Sequence, residues 1–335
     1  MTRKLIFGFN VVALLLLLLS FLVPMVAPNR FPVLSLLSLL SLPIIVLNGL
    51  FSVYWLIRWD RRFVVSATLL IAAHIYFGPF VLGVKNNEGL HQEGIKVLSH
   101  NVHLFDKYAD ELTKQKMSQE YDQLIAEHEP DVLCLQEYTA AHQVDFSGYP
   151  YQYLYFNPPF KLMGQAILSR FPIVNRGSLD FKETPNNAIY ADLLVGKDTV
   201  RVYNVHLQSI GINPTENIAD QGGADQLKTR FSKTFVKQQY QVEELMTHMS
   251  KTGHPKILAG DFNNTAFSYL YRVINTQFQD AFQIKGHGLG ATYYFNRLPL
   301  RIDFIFSDPE FEILEFETLE ESLSDHLPII AKIKP

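Results

Sequence analysis

The stretch Lys256-Ile-Leu-Ala-Gly-Asp-Phe-Asn263 decides the fold of this chain, because an apolar run stops abruptly at polar side chains. Residues 256–260 have the composition of a buried strand, and Asp261 and Asn263 follow at its carboxyl end. A single Asp or Asn at the end of a strand is usually a turn former. The same arrangement recurs along the chain, and turns alone do not explain that recurrence.

Five further predicted strands end in, or carry, a side chain of the kind that performs acid–base or metal chemistry. Taken singly, each has an ordinary explanation as a turn former, a solvated carboxylate or a core histidine. Six such groups in order indicate instead that the strand ends form a common site. The five others are Asn101 after 95–100, Glu137 after 131–136, His206 after 200–205, Asp303 within 301–306, and Asp325-His326 before Pro328.

The soluble part of the chain reads as an α/β domain. Two segments, 114–128 and 226–249, predict helices, and the apolar residues of the second fall largely on one 3.6-residue stripe. Ten short apolar runs, most of them bounded by turn residues, predict strands and favour two sheets packed face to face with helices outside. These runs are 95–102, 131–136, 151–156, 165–169, 188–195, 200–207, 256–260, 302–306, 311–316 and 328–333.

Together these motifs resemble those of the endonuclease/exonuclease/phosphatase (DNase I-like) superfamily, which includes DNase I-like nucleases, neutral sphingomyelinases and inositol polyphosphate 5-phosphatases. The resemblance spans about residues 95–335 and implies a four-layer α/β sandwich, two packed mixed β-sheets flanked by helices. It is carried by Asn101, Leu135-Gln-Glu137, His206-Leu-Gln208, Gly260-Asp-Phe-Asn263, Ile302-Asp303 and Ser324-Asp-His326, and Ile167-Leu-Ser-Arg-Phe-Pro-Ile173 resembles the strand after the glutamate motif.

The resemblance implies a divalent cation, Mg²⁺ or Mn²⁺, as the cofactor. Glu137 would be its principal ligand, Asn101 would lie close by, and Asp325 would assist. Oxygen ligands of this kind suit a hard cation that keeps several waters. His103 stands where many members have an acidic residue, two positions after Asn101, which leaves a second metal site open.

The resemblance also implies the catalytic groups. Asp261 would orient or deprotonate the attacking water, and Asn263 would hold a phosphate oxygen. Asp303 would fix the tautomer of His326, which would contact the phosphoryl group, and His206 would be a second donor on the phosphate side. Such a set serves phosphoester hydrolysis, because attack on phosphorus builds negative charge that a cation and fixed donors stabilise.

Two further features of this part bear on the chemistry. The single cysteine, Cys134, lies between two leucines in a predicted strand, so we expect a buried, inert thiol. The polar, Gly-rich stretch 211–226 is open to two interpretations, a substrate-facing loop or a surface excursion.

The first 84 residues differ sharply from the remainder. They carry six basic residues and one acidic residue, a net charge of +5, whereas the remaining 23 basic and 32 acidic residues sum to −9. Three runs without charged residues, 5–26, 33–57 and 63–84, predict three transmembrane helices. The predicted domains are therefore an anchor over 1–84, a linker over 85–94 and a catalytic domain over 95–335. A cleaved signal peptide is the alternative for the first run.

A repeat of small residues marks the second apolar run. Ser35, Ser38 and Ser41 recur every three residues. Small polar residues at this spacing line helix–helix contacts in many membrane proteins. They are equally consistent with side chains that have no partner, and the sequence leaves both interpretations open.

The acidic charge of the catalytic part bears on its substrate. Nucleic-acid binding draws much of its affinity from Lys and Arg, so a domain at −9 disfavours DNA without excluding it. Three spans would keep the site at a bilayer, where a lipid-linked phosphate is present at high effective concentration. We expect a lipid-directed phosphoesterase; the alternatives are an extracytoplasmic nuclease, an enzyme acting on soluble phosphomonoesters, or a non-catalytic binding module. No obligate protein partner is evident.

The loops predict the orientation of the anchor. Arg3 and Lys4 precede the first run and Arg58, Arg61 and Arg62 follow the second, whereas the first loop carries only Arg30. Because basic residues stay cytoplasmic, everything after residue 84 would lie outside the inner membrane of a bacterial cell. A reporter fused after Pro335 is expected to behave as extracytoplasmic, with a cytoplasmic readout contradicting this topology.

Overall fold

A computed structural model describes residues 2–79, 93–106, 110–158, 163–211, 223–320 and 324–335. The chain divides into two compact units. The first comprises Met1–Val81, Glu216–Gln239 and Asn264–Val273, and the second comprises Leu82–Thr215, Tyr240–Asn263 and Ile274–Pro335. The predicted linker over 85–94 falls almost wholly outside the described residues, as does most of 211–226, so both remain predictions.

Three apolar helices form the N-terminal part of the first unit: α1 (Thr2–Ser20), α2 (Leu36–Ile57) and α3 (Phe63–Phe77). Buried amide and hydroxyl groups join them. Asn10 donates to Ser66 Oγ at 3.1 Å and accepts from Trp55 Nε1 at 2.9 Å, so one side chain on α1 contacts both other helices. Asn48 donates to the carbonyl of Ala13 at 3.0 Å. Such bonds hold apolar helices together where the hydrophobic effect does not discriminate between them.

The prediction of three transmembrane helices needs correction. Two helical segments, Arg3–Met25 and Pro32–Ile57, are long and apolar enough to cross a membrane by length and composition. The third helix is only 15 residues long, about 22 Å at 1.5 Å per residue and short of a ~30 Å hydrocarbon layer. It ends because Gly78 adopts a left-handed φ of 82° and Pro79 follows, a pairing that terminates helices.

Fourteen strands are present among the described residues, and the ten predicted strands are all confirmed within two residues at each end. The fourteen strands are β1 (Ile95–Asn101), β2 (Val132–Tyr138), β3 (Tyr151–Tyr155), β4 (Gly164–Ser169), β5 (Ile173–Ser178), β6 (Ala188–Val195), β7 (Asp198–His206), β8 (Lys256–Asp261), β9 (Gln279–Asp280), β10 (Tyr293–Phe295), β11 (Leu298–Leu300), β12 (Asp303–Ser307), β13 (Glu312–Thr318) and β14 (Ile329–Lys334). Sequence reasoning missed β5, β9, β10 and β11, which are short or polar.

The strands of the second unit form two mixed six-stranded sheets and a hairpin. One sheet has the order β13-β14-β1-β2-β4-β3, and the other has the order β5-β6-β7-β8-β12-β9. Each has a central parallel pair, β1 with β2 and β7 with β8, so the carboxyl ends of both pairs carry their polar residues to the same edge of their sheet. The hairpin joins β10 to β11.

The core of the second unit lies between the sheets. Val97 and Val132 from one sheet and Val202 and Ile257 from the other are at most 1% exposed and belong to one apolar cluster. A polar bridge crosses this core, because Asn204 of β7 donates to the carbonyl oxygens of Leu135 and Ala166 on the other sheet, at 2.8 and 2.9 Å. Because both of its donors are paired, this buried amide fixes the position of one sheet relative to the other.

Two long helices, α4 (Glu111–His128) and the carboxyl-terminal part of α5 (Ala224–Met249), flank the sheets of the second unit. The short α6 (Tyr269–Asn275) falls mostly in the first unit, and the short α7 (Ala281–Lys285) belongs to the second. Tyr121 and Leu124 of α4 are buried against the outer face of the first sheet. On α5, His248 lies 3.0 Å from the hydroxyl of Tyr203 in the second sheet. The expected α/β fold of two mixed sheets with flanking helices is confirmed.

One glycine fixes the central strand of the second sheet. Gly260 pairs with Val205 across the parallel β7–β8 ladder, and its φ is +151°. A Cβ atom at this position would lie 1.9 Å from the carbonyl oxygen of Val205. No side chain fits there, so the Gly residue allows β8 to deliver Asp261 to the strand end.

We therefore expect Gly260→Ala to lower the free energy of unfolding by more than about 3 kcal/mol, since both the backbone and its neighbour must shift. The matched control is Gly253→Ala, where a Cβ would meet nothing within 4 Å. Urea unfolding of the full chain in detergent, followed by circular dichroism, measures both. Equal stabilities for the two variants would contradict the close approach of β7 and β8.

Candidate active site

The functional side chains come from strands that end at a common edge. Asn101 closes β1 and Glu137 lies near the end of β2 in the first sheet. In the second sheet His206 and Asp261 stand opposite one another at the ends of β7 and β8, and Asp303 begins β12 opposite Asp261. The strand-end pattern in the sequence therefore predicted a real convergence.

The Asp261 carboxylate is the centre of the cluster. It is 1% exposed, and Asn101 Nδ2 donates to its Oδ2 at 3.1 Å. The same Asn101 amide group lies 3.4 Å from Glu137 Oε1, and therefore bridges the two carboxylates. His206 Nε2 lies 3.6 Å from Asp261 Oδ2 and 3.9 Å from Glu137 Oε1. Burial raises the pKa of Asp261 above its ordinary value, and the neighbouring His326 opposes that rise.

Asn101 serves here as a hydrogen-bond donor. Its Oδ1 accepts the backbone N–H of His103 at 3.2 Å, which turns its amide nitrogen toward Glu137 and Asp261. The geometry thus places Asn101 beside the predicted metal ligand Glu137, as expected, but with its nitrogen facing the carboxylates. Its predicted part in holding a metal remains a prediction.

Asn263 holds the Asp261 carboxylate from the other side. Its backbone N–H donates to Asp261 Oδ1 at 2.8 Å, and its side-chain Nδ2 donates to Asp261 Oδ2 at 3.1 Å and to the carbonyl of Leu207 at 3.0 Å. Asn263 has a φ of 51°, and Glu137 has a φ of 49°. Left-handed backbone at a Glu is strained and is typical of functional sites.

His326 and Asp303 form an oriented pair. His326 Nδ1 lies 3.0 Å from Asp303 Oδ2, and its Nε2 lies 3.8 Å from Asp261 Oδ2. Burial alone would lower the pKa of His326, but the carboxylates of Asp303, Asp261 and Asp325 outweigh it and raise that pKa to about 10. The imidazole is therefore a cation at neutral pH, held by Asp303 and facing Asp261.

His206 has a partner that sequence reasoning missed. Its Nε2 lies 2.9 Å from Asn186 Nδ2, which can only donate, so this nitrogen accepts and the ring proton lies on Nδ1. Thr184 Oγ1 donates to Asn186 Oδ1 at 3.1 Å and fixes the amide orientation. Burial lowers the pKa of His206, with Glu137 opposing, so the ring is neutral and a phosphate-side bond would use Nδ1–H.

Sequence reasoning also missed Tyr293. Its ring centroid lies 4.8 Å from that of His326, and the two residues form an isolated bridge. The signal that marks Asn186 and Tyr293 is weak in sequence: a polar residue before β6 and one of two adjacent tyrosines in a short hairpin. Neither stands at the end of a long apolar strand.

Three other residues singled out in the sequence lie apart from the cluster. Asp325 is exposed and its Oδ1 accepts from the Ser324 hydroxyl at 3.1 Å; among the described contacts it reaches the site through the field it exerts on His326. His103 donates its backbone N–H to Asn101. Cys134 is fully buried, and burial raises the pKa of its thiol, in line with an inert side chain.

The donor set fits a hard divalent cation. One carboxylate oxygen from each of Asp261 and Asp303 lies within 4.8 Å of the other and of a ring nitrogen of His326, which as a cation would not itself bind the ion. Asp303 Oδ1 is buried without a hydrogen-bond partner, and a carboxylate oxygen left in that state calls for a cation or a donor. Glu137 adds a carboxylate that is 22% exposed and lies 3.9 Å from His206 Nε2 and 3.4 Å from Asn101 Nδ2. Carboxylate oxygens are the ligands that Mg²⁺ and Mn²⁺ prefer.

Comparisons with known proteins identify the family of the catalytic part of the chain. The model of the Endonuclease/Exonuclease/phosphatase family matches residues 98–326, and that of a domain of unknown function, DUF8431, matches residues 3–80. No curated protein matches the chain.

Solved structures share the fold at low identity. An endonuclease/exonuclease/phosphatase family protein from Leptotrichia buccalis is 19% identical, with a TM-score of 0.51, over 72% of this chain and 100% of that one. The human Nocturnin catalytic domain with bound sulfate is 19% identical, with a TM-score of 0.52, over 72% and 93%. D. rerio TDP2 complexed with a single-strand DNA product is 15% identical, with a TM-score of 0.55, over 73% and 100%.

The charge on His326 makes stability depend on pH. Because its folded pKa is raised to about 10 from an ordinary value of 6.5, the stabilisation is complete below about pH 6.5 and is lost as pH rises through 10. In a metal chelator, the stability advantage of the wild type over His326→Asn is expected to shrink between those pH values. Urea unfolding at a series of pH values measures it, and the exposed His287→Asn variant is the control. An advantage that grows with pH would show that the imidazole is not held as a cation.

Proposed function

This chain belongs to the Endonuclease/Exonuclease/phosphatase family, and we propose that it is a membrane-anchored, metal-dependent phosphoesterase that hydrolyses a lipid-linked phosphate ester. One observation carries the proposal: Asn101, Glu137, His206 and His326 each lie within 4 Å of Asp261 or of another member of this set, where strand ends of both sheets meet. No separate structural need accounts for two carboxylates and two histidines placed so closely, three of the four being buried.

Each residue then has a chemical task. Glu137 and the Oδ1 atom of Asp303 would hold Mg²⁺ or Mn²⁺, which when bound would supply Lewis-acid stabilisation of charge on the phosphoryl oxygens. Asp261 orients the attacking water and accepts its proton, since burial has already raised the pKa of this carboxyl group.

The histidines act on the phosphoryl group. Protonated His326, fixed by Asp303, donates toward the phosphoryl or leaving-group oxygen. His206, with Nε2 occupied by Asn186, donates through Nδ1–H. Asn263 first holds Asp261 in place, and a bond to a phosphate oxygen requires one of its amide protons to leave Leu207 or Asp261.

The substrate class is inferred from charge and from the N-terminal helices. The part of the chain after residue 84 carries a net −9, which opposes binding of a polyanionic nucleic acid and tolerates a single phosphate held by a cation. Two helices long and apolar enough to span a bilayer precede the family domain. A site tethered in this way meets phosphates that are themselves in the membrane at high effective concentration.

The location proposed is the inner membrane of a bacterium, with the catalytic domain on the extracytoplasmic side. Arg3 and Asp60 form an ion pair, which brings the start of α1 and the loop after α2 to the same end of the helical bundle. Basic residues concentrate at that end, and basic ends stay in the cytoplasm.

The direct test is hydrolysis by the purified full chain with Mg²⁺, offered phospholipid, sphingolipid and polyprenyl-phosphate vesicles and, separately, plasmid DNA. We expect phosphate or headgroup release from a lipid, lost at least about a hundredfold in Glu137→Gln and His326→Asn. Glu127→Gln, an exposed carboxylate on α4, is the matched control. Plasmid nicking without lipid turnover would favour a nuclease, and neither turnover nor metal binding would favour a binding module.

A further inference from the structure

The loop after the Asp261–Asn263 motif belongs to the same compact unit as the N-terminal helices. That unit includes Asn264–Val273 together with Met1–Val81. Phe267 packs against the apolar cluster formed by the three helices, and its ring centroid lies 5.1 Å from that of Phe77 on α3. Arg272 donates to the hydroxyl of Tyr76 at 2.9 Å. The chain that leaves the catalytic motif is thus packed directly on α3.

Buried hydrogen bonds attach the same loop to α2. The Ser38 hydroxyl lies 2.9 Å from Asn264 Oδ1, and Thr265 Oγ1 donates to the Ser38 carbonyl at 2.7 Å. Ser38 is 1% exposed, Asn264 2% and Thr265 4%. Bonds buried to this degree cannot be exchanged for water, so losing one leaves a polar atom unsatisfied.

The orientation of the Asn264 amide is determined by its other partners. Its Oδ1 accepts the backbone N–H of Thr265 at 2.9 Å, and its Nδ2 donates to Gln238 Oε1 on α5 at 2.9 Å. The Ser38 hydroxyl must therefore be the donor to Asn264, and it shares its proton with the carbonyl of Ser35 at 2.7 Å. Of the serine repeat in the second apolar run, Ser38 is the member that reaches this loop, whereas Ser41 bonds the Leu37 carbonyl within its own helix.

Asn264 is joined by one peptide bond to Asn263, which holds Asp261 with two hydrogen bonds. Asn263 has a left-handed φ of 51°, a conformation that persists only where its surroundings impose it. A shift of Asn264 therefore passes directly to the residue that holds the Asp261 carboxylate.

We propose that Ser38 on α2 is a positioning residue for the phosphoesterase site: by fixing Asn264 and Thr265 it holds Asn263 in the conformation that aligns Asp261. The N-terminal helices then have a second task besides anchoring. The phosphoesterase site is expected to lose activity when the hydrogen bonds from Ser38 to Asn264 and Thr265 are broken. This inference rests on the proposed function for its chemistry and on the hydrogen bonds above for its geometry.

The test uses the full chain in detergent with a soluble phosphodiester, bis(p-nitrophenyl) phosphate, and Mn²⁺, so that membrane presentation of substrate plays no part. Ser38→Ala is expected to lower kcat about tenfold with KM unchanged, since a small misplacement of a catalytic group costs rate. Thr265→Val, which keeps the shape and loses the bond to Ser38, is expected to act in the same direction. Ser38→Thr retains the hydroxyl and restores kcat, and Ser41→Ala is the matched control that leaves kcat unchanged.

A second readout does not depend on turnover. Hydrogen exchange of the peptide covering residues 262–268 is expected to be about tenfold faster in Ser38→Ala than in the wild type or in Ser41→Ala, because the loop opens more readily. Wild-type kcat and exchange in Ser38→Ala would overturn the positioning role. The positioning role would also be overturned if Ser38→Ala lowered kcat, Ser38→Thr lowered it equally, and both variants remained folded. If the wild type hydrolyses nothing, the proposed function fails, and the exchange rates alone decide whether Ser38 orders the loop.

Discussion

The structure depends on a buried carboxylate. Asp261 lies at the edge where the two sheets meet, 1% exposed, and an uncompensated charge in that position would cost several kcal/mol. The chain compensates it from three directions: the side-chain amides of Asn101 and Asn263 each donate to it at 3.1 Å, and the cationic His326 lies 3.8 Å away. Each of these groups comes from a different strand end or loop. The interactions that stabilise the buried Asp261 carboxylate therefore also bring the site residues together.

The backbone is shaped to the same end. β8 can deliver Asp261 only because Gly260 lets it approach the Val205 carbonyl closely. After the motif the chain turns through the left-handed Asn263 and enters the loop fixed by Ser38. The charge on His326, raised by its carboxylate neighbours, places a cation beside the anionic cluster. Under the proposed function, this arrangement would hold the phosphoryl oxygens with little further rearrangement, as phosphoryl transfer requires.

Most of the strands and most of the site residues were predictable from the sequence. Buried strands have a recognisably apolar composition, and the functional residues stand at their ends. The strands ending in Asn101 and Asp261 are long apolar runs, and sequence reasoning found both. Sequence reasoning overestimated the length of the third helix. The apolar run continues to residue 84, but Gly78 and Pro79 end the helix at Phe77. Sequence reasoning also missed Asn186, whose role follows from a contact across the sheet that no sequence period encodes.

Binding of a divalent ion tests most directly whether these side chains form one metal centre. Titration calorimetry of the full chain with Mn²⁺ should show one ion per chain, and Glu137→Gln should weaken its affinity at least about tenfold. The exposed Glu127→Gln variant should bind as the wild type does. Absence of Mn²⁺ binding, or an affinity that Glu137→Gln leaves unchanged, would contradict a metal-dependent phosphoesterase built around Asp261.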